Sequence, residues 1–172
     1  MTARHRPILG NSCARATSAA EMRFRIDRTI RGRRGARVIG LDPGASAILE
    51  RVADSDWGHA RFFSLADPVR EVGCGGAELV ALRSTDGHVT SLLDELAEAD
   101  MVMLVATTDS DSAAATIIGA TCTVRAITTA GLVIGSGESA ATTVAALRPH
   151  ARVLMTTEDE QDIVEVLTAL CA

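Results

Sequence analysis

Apolar runs alternate with amphipathic segments along most of this chain. ARVIGLD, 36–42, reads as an apolar strand broken by Asp42-Pro43-Gly44. AILERVAD then sets Ile48, Leu49 and Val52 on one face of a helix, with Ser46 where an N-cap is wanted. HARFFSLAD, 59–67, predicts the next strand. A Gly-rich loop, VGCGGAE, a short strand, ELVALR, and a helix, SLLDELAEAD, come next; Leu92, Leu93 and Leu96 repeat there at helical spacing. Met101 to Ala106 is continuously apolar, as in a central parallel strand covered on both faces. The spacing predicts a helix over 112–126, although its Thr, Ile and Val content disfavours one. AGLVIGS, 130–136, is a further buried strand, AATTVAALRP a short helix and ARVLMTT, 151–157, the last strand. DEQDIVEVLTALC closes the series as a helix capped by Asp159 or Thr157, with acidic residues in its first turn as the macrodipole favours.

Strands alternating with helices specify a mostly parallel sheet with helices on both faces, a three-layer α/β/α Rossmann-like domain. The 172 residues suit one such domain. Residues 1–21 lack apolar periodicity and read as a disordered Arg-rich arm, so the domain is expected over 22–172. MRFRIDRTI, from Met22, alternates as a short half-buried strand before the turn RGRRG. Whether translation starts at Met1 or at Met22 stays open.

Composition narrows the chemistry. Hydrophobic residues make up 47% of the chain and aromatic ones only 2%, so the core must be built from Ala, Val, Leu and Ile. All 17 basic residues are Arg. Without Lys there is no Walker-type lysine, no Schiff-base nucleophile and no lysine general base. Residues 1–37 hold ten Arg against Glu21 and Asp27, whereas residues 38–172 hold seven Arg against twenty carboxylates. The body would repel nucleic acid; only the basic N-terminus could attract it, and weakly. Arg31, Arg33, Arg34 and Arg37 read as a solvated turn or a dock for an acidic protein surface. Cys13, Cys74, Cys122 and Cys171 form no metal or disulfide spacing, which fits a reduced cytoplasmic setting. No apolar stretch is long enough to cross a membrane, so no membrane partner is expected.

Ligands in such folds sit at the carboxyl ends of the strands, near the switch point. That edge gathers Asp42–Ser46, Asp67, the loop 107–112 and Gly135–Glu138. Several of these segments resemble the tubulin-like bacterial cell-division GTPase FtsZ. VIGLDPGASAILERV is similar to the family's first strand, Gly-rich turn and helix, and FFSLAD keeps the final Asp67 of its Asn-Thr-Asp motif. VGCGGAE matches a phosphate loop in place and composition, and ADMVMLVA, 99–106, tracks the family's Ala-Asp-Met-Val-Phe strand closely. GLVIGSGES resembles the strand leading to a ribose-contacting Glu, here Glu138. The resemblance spans about residues 36 to 172.

The loop after ADMVMLVA departs from the family completely. Its glycine signature becomes TTDSDSAAA, 107–115, without one glycine. Glycines let amide groups close on phosphate at a helix N-terminus. Asp109 and Asp111 would instead oppose every nearby phosphate charge by on the order of 1–3 kcal/mol. The family's base-reading helix and its loop of catalytic acids lie beyond the region of resemblance. The positions that the resemblance puts at the former nucleotide edge are Gly44, Ala45, Ser46, Asp67, Thr108, Asp109, Ser110, Asp111, Ser112 and Glu138.

Each has a plainer reading. Asp109 and Asp111 could hold a divalent cation with serine oxygens, but a cap for the next helix is the commoner role of such residues. Pro43-Gly44 is an ordinary exit from a strand, and the spacing of Gly40 and Gly44 is not that of a dinucleotide fingerprint. The expectation is a non-catalytic FtsZ-like protein that has lost GTP hydrolysis and works through a protein partner or self-association, with no catalytic or metal residues. A nucleotide- or small-ligand-binding module of altered specificity, with GTP, GDP or a cation, is the alternative. An NAD-type oxidoreductase is poorer, because no acid–base constellation accompanies the glycines.

Overall fold

The computed structural model describes residues 35–69, 76–107 and 112–169, all within a unit spanning Arg33–Ala172. The expected arm over 1–21, the strand from Met22 and the loop residues 73–75 lie outside the described residues.

The chain is α/β, with helices on both faces of a mostly parallel sheet, as its pattern implies. Seven strands are described: β1 (Ala36–Gly40), β2 (Arg61–Leu65), β3 (Ala81–Ser84), β4 (Val89–Ser91), β5 (Met101–Ala106), β6 (Thr128–Ile134) and β7 (Val153–Thr157). Their order across the sheet is β4-β3-β2-β1-β5-β6-β7. The pairs from β2 through β1, β5 and β6 to β7 are parallel, while β3 and β4 add antiparallel to β2. Helices α1 (Pro43–Ala53), α2 (Leu92–Ala97), α3 (Ser112–Val124), α4 (Glu138–Leu147) and α5 (Gln161–Ala169) cover the faces.

Alternation along the central strands sorts the core into two layers. Ile39, Val102, Leu104, Ala106 and Val133 point to one layer, together with Leu92 and Leu96 of α2, Ala114, Ala115 and Ile118 of α3 and Leu147 of α4. Val38, Met103, Val105 and Leu132 point to the other, with Ile48 and Leu49 of α1 and Ile163 and Leu167 of α5. Both faces of β5 are covered, which is why its sequence reads apolar without a break. Each fully buried Leu here contributes about 1.5–3 kcal/mol.

The chain leaves β1 for β2 on one side, then returns across β1 to β5 on the other. Right-handed crossovers in opposite directions put α1 and the pair α3 and α4 on opposite faces. The switch point therefore lies between the carboxyl ends of β1 and β5.

Helix α3 forms despite its β-branched content because it buries Ala114, Ala115, Ile118 and Cys122 against the sheet, while the hydroxyls of Thr116, Thr121 and Thr123 are satisfied on the carbonyls of Ser112, Ile117 and Gly119. Gly119 lets His150 approach: a Cβ there would stand 2.6 Å from the His150 side chain.

Three local expectations are corrected. The N-cap of α1 is Asp42, not Ser46, because Pro43 is pre-set for the first helical position rather than for ending a strand. A three-residue strand, β4, precedes α2 in a stretch for which the sequence pattern predicts no element, and it takes Ser91 from the expected helix; it is too short to leave a periodic signature. Gly76–Leu79 is a 3-10 turn ahead of β3, so the strand expected from Glu78 begins at Ala81.

Candidate functional site

Asp42, two residues past β1, has extended backbone, φ −147° and ψ 167°, and caps α1. Its Oδ1 accepts from Ala45 N at 2.8 Å and from the Thr107 hydroxyl at 2.7 Å. Its Oδ2 accepts from Thr107 N at 2.7 Å. The side chain is buried, and three donors compensate its charge. Its main-chain carbonyl takes both the amide and the hydroxyl of Ser46, each at 2.9 Å. With Leu41 N bonded to Val105 O, the ends of β1 and β5 are laced together at the switch point.

This arrangement bears on anion binding. A doubly wound fold offers a phosphate the first helix N-terminus after β1. Here the Ala45 amide already faces a carboxylate of the chain itself. A second anion about 4 Å away would meet about 1–4 kcal/mol of repulsion, depending on how much water screens the pair.

Two clefts flank the switch point along the same edge. One, of about 370 Å³, lies over β1 and β2 and is lined by Asp42, Ser46, Ser64 and Asp67 with Leu41, Leu65 and prolines 43 and 68. The other, of about 450 Å³, lies over β6 and β7, between Gly135, Ser136 and Gly137 on one side and Thr156, Thr157 and Glu158 on the other. Gly137 precedes α4 at φ +86°, a conformation that side chains disfavour, and α4 has no side-chain cap there.

The expected site residues divide accordingly. Gly44, Ala45 and Ser46 form the first turn of α1, with Ala45 buried and Gly44 exposed beside Thr107. Asp67 stands exposed just past β2. Ser112 opens α3 and Glu138 opens α4. Thr108, Asp109, Ser110 and Asp111 lie outside the described residues. The topology does bring the described ones to one sheet edge, and Ser46 and Asp67 to one cleft. Asp42 and Thr107 are the pair that sequence reasoning passed over. An Asp before Pro at a helix start signals a cap, but nothing in the sequence signals that Thr107 answers it.

At the opposite edge Arg37 corrects another expectation. It is no solvated turn residue: it is buried on β1, its Nε donates to Glu95 of α2 at 3.0 Å and its guanidinium reaches Glu98 O at 2.9 Å. Arg61, its register partner on β2, donates to both oxygens of Glu95.

Among the described residues no three His, Cys, Asp or Glu side chains converge on a metal position. Cys122 is a free thiol buried in α3. Burial pushes its pKa above the usual value, an effect partly offset by the Thr129 hydroxyl and by Arg125, so it is a packing residue rather than a nucleophile. No helix among the described residues is long and apolar enough to cross a membrane.

No protein-family model matches the chain, and no curated protein matches it. Solved structures do: proximal thread matrix protein 1 from the mussel byssus, with a zinc-occupied MIDAS motif, aligns at a TM-score of 0.42 and 9% identity. A second crystal form of that protein aligns at 0.38 and 9%. Each alignment covers 79% of this chain, which spans 44% of the matrix protein chain. Neither transfers a site to this protein.

Proposed function

We propose that this domain is a non-catalytic, FtsZ-like interaction or assembly module, cytoplasmic, in which nucleotide hydrolysis has been lost. The observation that carries this reading is the Asp42 carboxylate at the switch point, satisfied from within by Ala45 and Thr107. A group bound this way holds the fold together and leaves the first helix N-terminus without a free anion site. The loss of glycines after β5 supports the same reading, since the loop 107–112 carries Thr, Asp and Ser where the resembled family carries amide-presenting glycines.

The clefts over β1–β2 and β6–β7 favour a second reading, a small-ligand-binding module that does not use the switch point. Thermal melting of the full chain with GTP, GDP, ATP or NAD, each with and without Mg²⁺, separates the two. The interaction reading expects an unchanged melting temperature across the panel. A ligand at 100 times its Kd adds about 2.7 kcal/mol and raises the midpoint by several degrees. Such a rise with any member of the panel overturns the interaction reading in favour of the ligand-binding one.

A further inference from the structure

The two borders of the sheet are unlike. At one, β4 has three residues and runs directly into α2, a short edge of the kind that discourages strand addition. At the other, β7 is longer, Val-Leu-Met-Thr-Thr, and carries neither a charge nor a proline. Its side chains on the α5 face stay open: Val153 is 50% exposed and Met155 37%, because Ile163 and Leu167 of α5 pack toward the centre of the sheet instead. The Gly135 amide bonds to Thr157 O at the end of β7, so by alternation Val153 and Met155 turn their backbone groups toward β6 and those of Leu154 and Thr156 point outward.

Charge flanks this strand with opposite signs. Arg152 precedes it and Glu158 comes after it, both exposed and neither in an ion pair among the described residues. We propose that the protein self-associates through antiparallel pairing of β7 with β7 of a second copy, about a two-fold axis through Met155. In that register Met155 meets its own copy as a non-hydrogen-bonded pair, and the outward-facing backbone groups of Leu154 bond those of the partner's Thr156. Val153 meets the partner's Thr157, and Arg152 meets the partner's Glu158, twice over by symmetry. A parallel pairing would set Arg152 beside Arg152 and Glu158 beside Glu158. The strand is thus complementary to itself in one orientation only, and the sheet becomes continuous through both copies.

This inference rests on the assembly reading and names its partner. Sedimentation of the full chain across micromolar to millimolar concentration tests it, with circular dichroism confirming that each variant folds. The wild type is expected to dimerise. M155K sets two like charges opposite each other on the axis and should raise the dimer Kd about 100-fold or more. R152E and E158R should each weaken the dimer, and R152E/E158R should restore it. A wild type that stays monomeric, a dimer indifferent to M155K, or a double reversal as weak as the singles overturns the inference. A monomer with a flat ligand panel removes the β7 interface and leaves the non-catalytic reading standing. A dimer whose melting temperature rises with a nucleotide does the reverse.

Discussion

Strand β1 buries a charged side chain toward each end, and the two are held by different means. Arg37, near its start, is neutralised by another charge, Glu95, which Arg61 also grips from the solvent side. Asp42, just past its end, is held by two backbone amides and a hydroxyl, with no cation bonded to it among the described residues. The first is a network of long side chains from three elements, the second a short polar knot at a helix start. A buried ion pair contributes little net stability yet leaves a costly orphan when half of it is removed. A carboxylate satisfied by fixed amides has less to lose, because removing it leaves neutral donors at a helix start and a strand end rather than a buried charge.

The contrast can be broken in a definite order. Glu95→Ala should have the largest effect, since it strands a guanidinium that is only 3% exposed beside a second one on β2; a loss of about 3–5 kcal/mol is expected in urea unfolding. Replacing both partners, Glu95→Leu with Arg37→Met, should recover most of that loss. If it does not, the network does more than compensate its own burial. Asp42→Ala removes the α1 cap and frees the Thr107 amide and hydroxyl, for about 2–4 kcal/mol by the same measurement. Asp42→Asn keeps one oxygen as acceptor but turns an NH₂ group toward the Thr107 amide, so roughly half that loss should remain. Equal loss in the two Asp42 variants would mean that charge, not hydrogen-bond count, holds the knot. Arg61→Ala should cost least, within about 1 kcal/mol, because its side chain is 55% exposed and water replaces what it gives up, its stacking over Phe63 included.

The legible and illegible parts of this protein divide along similar lines. Met101–Ala106 could be read as a central strand because burial on both faces demands an unbroken apolar run. The terminal helix and its capping residues were equally plain: Asp159 accepts from Gln161 N, and the Thr157 hydroxyl bonds Asp159 N and Asp162. Arg37 was not legible in its true role. It heads an apolar run after a basic stretch, and its partner Glu95 lies 58 residues away. The sheet edge carrying the expected site residues came from topology alone, but the Asp42–Thr107 knot spans 65 residues and leaves no local mark at Thr107.

The order of apolar and polar residues determined by itself that this chain is a layered α/β domain, because periods of two and 3.6 residues state which faces must leave water. It also set the Arg-only basic chemistry and the absence of glycine after β5. Only the tertiary structure decided which buried charges are compensated and by what, that Asp42 is bonded across the switch point to Thr107, and that among the described residues β7 has an open border. Those outcomes depend on where distant strand ends and helix faces meet. A contact across 58 or 65 residues is chosen by packing the whole sheet, not by any neighbour in the chain.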